Sequence, residues 1–212
     1  MTDDARREER PPSYAAIMHE ATSSDAGARE TIMLLCAAAL WHVQRLQALM
    51  AMPQAGLLRR DYLLARLKAV QGSEGVEARF AQAAQCDDEQ QAQRLYLSVA
   101  AEMEELVAAI DNAREYQARL DDALELVQGA YALLAEEAAE AAPQGADDVQ
   151  QSQEQQVKLQ HAEKQQPTPD LVALGGCLER LAMAHEVQQP ALLDEAFVML
   201  QTLGQGGSAQ SH

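Results

Sequence analysis

The sequence predicts an all-α protein. The expected architecture is an elongated helical hairpin or bundle built around one very long coiled-coil helix, with a small C-terminal helical pair. Three observations carry this. Of 212 residues, 41 are alanine, and leucine, glutamine and glutamate, which also favour helix, dominate the rest. Valine, isoleucine and threonine together number 19 and the aromatics 8, too little β-branched and aromatic material for a large sheet. Finally, from Glu89 to Ala142 there is no proline and one glycine, Gly129, while apolar residues recur at alternating spacings of four and three.

Residues 1–24 read as a polar tail, with a short helix around 14–20 that Pro11, Pro12 and Ser13 are placed to start. Ser24 or Asp25 can cap a long helix that ends by Met52, because Pro53 cannot continue it. Its first half, from Ile32, Met33, Leu34, Leu35 and Cys36 to Trp41, is apolar on every side. Such a helix must be covered from several directions, either as the centre of a bundle or by a partner. Gly56 precedes a second helix over 57–71, with Leu58, Tyr62, Leu63, Leu67 and Val70 on its apolar side. Gly72, Ser73, Glu74 and Gly75 make a turn, and a short helix runs to about Gln85.

The long helix follows. Its expected seam is Ala92, Tyr96, Val99, Met103, Leu106, Ile110, Ala113, Gln117, Leu120, Leu124, Val127, Tyr131, Leu134, Ala138 and Ala141, with Gln117 the one polar member. A 3.5-residue period held for seven heptads keeps one stripe facing a partner helix. At 1.5 Å per residue the helix is roughly 80 Å long. Leu95, Ala100, Val107, Ala109, Tyr116, Ala123 and Ala130 flank the seam, so the apolar face is wider than a two-stranded coiled coil needs and suits two or more neighbours.

Residues 143–169 hold nine glutamines and little to bury, and are expected to form a flexible linker. Asp170 can cap a final pair, 171–187 and 191–203, separated by Pro190 and ended by Gly204. Gly175 and Gly176 inside the first of these either permit close helix approach or break it. The expected domains are thus a tail (1–24), a helical body (25–142), a linker (143–169), a helical pair (170–204) and a tail (205–212). No repeat of solenoid length occurs.

The net charge of −17 argues against polyanionic partners, nucleic acid or anionic membrane, through bulk electrostatics. The charge is segregated. Residues 42–70 carry Arg45, Arg59, Arg60, Arg66 and Lys68 against Asp61, while 87–141 carry fourteen acids against Arg94, Arg114 and Arg119. The basic 59–68 stretch either docks an acidic partner or lies beside the chain's own acidic helix.

Cys36, Cys86 and Cys177 are far apart and lack CxxC spacing, which fits free thiols in a reducing compartment rather than disulfides or zinc. The start of the chain lacks the form of a secretory signal, and its acids argue against a transit peptide. The fourteen uncharged residues 31–44 fall short of the ~20 needed to cross a bilayer. No membrane span is expected, and the protein is expected to be soluble and intracellular, cytoplasmic and nuclear placement being indistinguishable.

Chemistry-bearing patterns are sparse. Asp121, Asp122 and Glu125 form a DDxxE string of the kind that holds magnesium on a diphosphate in helical prenyl-transferring enzymes, but no second facing acidic motif accompanies it. His19, His42, His161, His185 and His212 lack metal spacing, and Walker A, GxGxxG and GxSxG motifs are absent. No catalytic residue, cofactor or metal is expected, and the chain is read as a non-enzyme.

The expected function is a structural or adaptor subunit of a larger assembly. Its partners would be other helical protein chains, hetero-oligomers being favoured over homo-oligomers, with no direct nucleic-acid contact. Met103, Leu106, Ile110, Gln117, Leu120, Leu124 and Leu134 form the partner-binding seam, Gln117 setting its register, and Leu34, Leu35 and Trp41 the buried junction. One alternative is a helical secretion chaperone or secreted accessory protein of a bacterial export system. A further one is a magnesium-dependent diphosphate-using helical enzyme acting through Asp121, Asp122 and Glu125.

Overall fold

The computed structural model describes residues 10–53, 58–71, 75–76, 78–141, 168–187 and 189–205. Among the described residues there is no strand, and seven helices account for the fold: α1 (Tyr14–Ser23), α2 (Ala28–Met50), α3 (Arg60–Gln71), α4 (Ala78–Ala84), α5 (Glu89–Glu140), α6 (Pro169–Val187) and α7 (Pro190–Gln205). The protein is all-α, and α5 spans 52 residues. The linker expected over 143–169 lies, except for its last two residues, outside the described residues.

Local chemistry sets most of the ends. Ser13 caps α1, its Oγ accepting from the Ala16 N–H at 3.3 Å. Ser24, expected to open α2, instead closes α1, its N–H donating to the Glu20 carbonyl. The first turn of α2 is tied back to Gly27, whose carbonyl accepts from both the N–H and the Oγ1 of Thr31. Asp88 caps α5, its Oδ1 accepting from the Gln90 N–H at 2.9 Å. Thr168 rather than Asp170 caps α6, its Oγ1 accepting from Leu171 N–H at 3.4 Å. Pro169 and Pro190 are the first residues of α6 and α7, where proline's fixed φ suits the helix and its missing N–H is not needed. Gly204 does not end α7, which runs on to Gln205.

The chain divides into two compact units, residues 1–44 with 121–212 and residues 45–120. In this division α6 and α7 share a unit with the start of α2 and the end of α5. The first unit's core combines Ile17 of α1, Leu35, Ala39 and Val43 of α2, Ala123, Val127 and Ala130 of α5, Leu174 and Leu181 of α6, and Leu193 and Leu200 of α7. The second unit buries Leu46 and Leu49 of α2, Leu58, Leu63 of α3, Ala83 of α4, and Val99, Leu106, Ile110, Tyr116 and Leu120 of α5.

The buried stripe of α5 keeps the four-and-three spacing but is rotated from the expected seam. Val99, Leu106, Ala113, Leu120 and Val127 are buried as expected. The other buried heptad series is Ala109, Tyr116, Ala123 and Ala130, not Met103, Gln117, Leu124 and Tyr131, which are half-buried. Ile110 alone of that second series is buried. Alanine at three of the four positions in the Ala109 series leaves room for a neighbouring helix to approach closely.

In the first unit, the only glycine of α5 has a matching explanation. A Cβ on Gly129 would lie 2.9 Å from Tyr14 Cδ2 and closer still to Cε2, so the glycine seats the Tyr14 ring on the helix backbone. Gly175 and Gly176 do not break α6. Gly175 lies close to the Tyr131 ring, at an ordinary contact distance of 3.5 Å for an added Cβ, and Gly176 lies beside Met199. A Cβ at either position would meet only side-chain atoms, the nearest at 3.3–3.5 Å, so neither contact requires a glycine.

Among the described residues, α2 is the one helix long and apolar enough to cross a membrane by length and composition, although the core helix of a soluble protein meets the same criterion. Leu35, Cys36, Ala38, Ala39, Val43, Leu46 and Leu49 of this helix are buried within the fold.

Candidate partner-binding surface

In the first unit, the acidic string of α5 is drawn into an internal contact. His42, 2% exposed, holds Nδ1 3.8 Å from Asp122 Oδ2, and Arg10 donates to the same carboxylate. Asp121 and Glu125 remain exposed. The middle carboxylate of the DDxxE string is thus an ion-pair partner of this chain's own Arg10. Among the described residues, no group of three or more His, Cys, Asp or Glu is placed to hold a metal ion.

Two of the three thiols, Cys36 and Cys177, are chemically quiet. Cys36 and Cys177 are buried, Cys86 is partly exposed, and all three are free. Burial, with a smaller contribution from Asp170, pushes Cys36 up to about 11. Burial likewise raises Cys177 to about 12, and its Sγ lies 3.8 Å from the Ala196 carbonyl of α7. Thiolate, the nucleophilic form, is scarce at neutral pH in such sites.

In the second unit, two arginines reach the acids of α5. Arg45 forms a two-pronged pair with Glu115, Nε to Oε1 at 2.7 Å and Nη2 to Oε2 at 3.0 Å, and Arg119 Nε lies 3.7 Å from Glu115 Oε1. These hydrogen bonds, Arg45's above all, hold the Glu115 carboxyl below the usual carboxylate range against the opposing effect of burial. Arg79 pairs with Glu102 at 2.6 Å, and beside it the rings of Phe80 and Tyr96 meet at 5.3 Å, so an ion pair and an aromatic contact dock α4 on α5. Among the described residues, Arg59, Arg60, Arg66 and Lys68 take part in no ion pair or side-chain hydrogen bond. The basic stretch therefore does not neutralise the chain's own acidic helix.

The ten residues expected to bind partners separate into three groups. Leu35, Leu106, Ile110 and Leu120 are buried in this chain's own cores. Trp41, Met103, Gln117, Leu124 and Leu134 are half-buried. Leu34 is 44% exposed and, with Met33, leaves part of the apolar start of α2 uncovered. In the first unit, Leu134 lines a shallow cleft with Ile32, Met33, Cys36, Leu174 and Leu203, rimmed by Arg29, Glu137 and Asp170.

Sequence reasoning missed other exposed apolar side chains. Tyr62, expected on the apolar side of its helix, is 54% exposed, because the buried side of α3 centres on Leu63. Leu97 on α5, Val172 and Met183 on α6, and Val198 on α7 are also exposed, as is Val107, which was expected on the apolar face beside the seam. Leu97 and Val172 fall off the helical period of their buried neighbours, which is the signal that could have found them. Comparison with known protein families, curated proteins and solved structures finds no match.

Proposed function

We propose that this protein is a non-enzymatic structural or adaptor subunit, soluble and intracellular, that binds other helical chains through coiled-coil and bundle packing, with hetero-oligomers favoured. The observation that carries the reading is the set of large apolar side chains left exposed on the two longest helices: Met33 and Leu34 on α2, and Tyr96, Leu97 and Val107 on α5. Single exposed apolar residues are ordinary on a protein surface, but adjacent ones on one helix suit a partner helix. The half-buried second edge of α5, with Met103, Gln117 and Leu124, supports the same reading by offering a stripe that the chain's own fold covers incompletely.

Light scattering on the purified chain, alone and with fractionated partners, tests it. Association that Leu34→Ser with Leu97→Ser weakens, without loss of helicity, is the expected result. A compact monomer that melts cooperatively and binds no helical partner would count decisively against it.

A further inference from the structure

We infer that the exposed face of α3 is a docking surface for an acidic, amphipathic segment of a partner protein, an assignment that rests on the adaptor reading and names its partner. Leu63 of α3 is fully buried, and Leu64, Leu67 and Val70 are half-buried. The face turned away from them carries Tyr62, Ala65 and Ala69, spaced to lie along one line of the helix and all exposed. Arg66 flanks that line on one side and Lys68 on the other, with Asp61 the one acid, and Arg59, exposed at the residue just before the helix, stands seven positions ahead of Arg66.

Three properties of this face point to carboxylates presented on an apolar body. Its cations are unpaired among the described residues, whereas Arg45 and Arg79 of the same unit have found α5 acids. Two guanidiniums seven positions apart can each take a carboxylate in a forked geometry. Tyr62, 54% exposed between them, offers apolar area and a hydroxyl at little entropic cost, the combination enriched in interface anchors. Arginine beside a tyrosine face also gains cation–π attraction once a partner excludes water.

The charge of the whole chain selects among anions. At −17 it repels a polyanion whose charge extends far beyond the patch, such as duplex DNA or an anionic bilayer, while a short acidic segment meets mainly the local basic field. The acidic partner is also steered to this face, since α3 is basic in an otherwise acidic chain.

The test uses the full chain and a fluorescein-labelled helical peptide of about 20 residues with a leucine seam flanked by glutamates, read by anisotropy. The expected result is saturable binding that weakens about tenfold between about 50 and about 300 mM salt. Arg59→Glu with Arg66→Glu weakens it at least about tenfold, Tyr62→Ala about fivefold, and Arg59→Lys with Arg66→Lys less than the reversal does. All these side chains are exposed, and circular dichroism checks that helicity is retained. Absence of saturable binding, binding indifferent to the charge reversal, or equal affinity for a duplex oligonucleotide overturns the assignment. So does salt-sensitive self-association lost in the same double variant, which would make a second copy the occupant. If peptide binding fails while assembly through Leu34 and Leu97 persists, this assignment alone falls. If peptide binding holds while no assembly is found, the adaptor reading falls.

Discussion

At the residue scale, Gly129 shows how one missing side chain can place an element. A glycine inside a helix costs about 1 kcal/mol relative to alanine, yet here it lets the Tyr14 ring rest on the α5 backbone. Gly129→Ala should therefore destabilise or leave unchanged the native chain, but stabilise a Tyr14→Ala background by about 0.5–1 kcal/mol. Urea unfolding of the four-member cycle checks this, and equal stabilisation in both backgrounds would show that the ring has no close seat there. Three buried acids predict the alkaline behaviour. Burial raises Cys36 from 9.0 to about 11, Cys177 to about 12 and Tyr116 from 10.0 to about 12. Between the ordinary and folded values the unfolded chain releases protons that the folded chain keeps, so stability present below about pH 9 is lost as pH rises. Urea midpoints measured upward from neutral pH should begin to fall near pH 9. Replacing Cys36 and Cys177 together with alanine should flatten the first part of that fall, and an unchanged slope would refute the assignment.

At the scale of the element, α5 separates what periodicity reveals from what it leaves open. The run from Glu89 to Glu140 is legible because Asp88 caps it, no proline interrupts it and the four-and-three spacing persists. The direction in which that stripe faces is less legible. Periodicity weights leucine and methionine above alanine, whereas the fold places Ala123 and Ala130 at 0% exposure and leaves Leu124 half-buried. A leucine in place of Ala130 must force its neighbours apart, at a cost of about 1–3 kcal/mol. Gln117→Leu should cost less, since Gln117 sits half-buried at the edge of the buried stripe. Denaturant unfolding of both variants decides the point, and a costlier Gln117 substitution would restore the seam expected from periodicity. The helix starts teach a related lesson. Ser24 and Asp25 are good caps by type, but Ser24 closes α1 instead, because capping depends on which backbone donors lie beside the side chain.

At the scale of the whole molecule, the C-terminal pair is part of the first unit's structure. Cys177 of α6 meets the Ala196 carbonyl of α7, Arg180 pairs with Glu195 between them, and Leu174 and Leu203 complete the cleft against α2 and α5. A chain ending after Thr168 should therefore uncover apolar surface on both α2 and α5. Its melting temperature should fall by several degrees, as a loss of one or more kcal/mol implies for a chain of this size, at roughly 2–4 °C per kcal/mol. Differential scanning calorimetry checks it, and an unchanged melting temperature would mean that the pair is a tethered module.

By itself the sequence determined the fold class, the number and approximate limits of the helices, and the segregation of charge. These follow from propensity, from proline and glycine punctuation and from periodicity, all of which act over a few residues. Only the tertiary structure decided which acids found partners, with Glu115, Glu102 and Asp122 engaged by Arg45, Arg79 and Arg10, while the cations of α3 found none among the described residues. It also decided which of two neighbouring stripes on α5 became the inner one, and that Tyr62 faces outward. Ion pairing and close packing depend on distances between residues remote in sequence, and a pattern along one chain does not carry those distances.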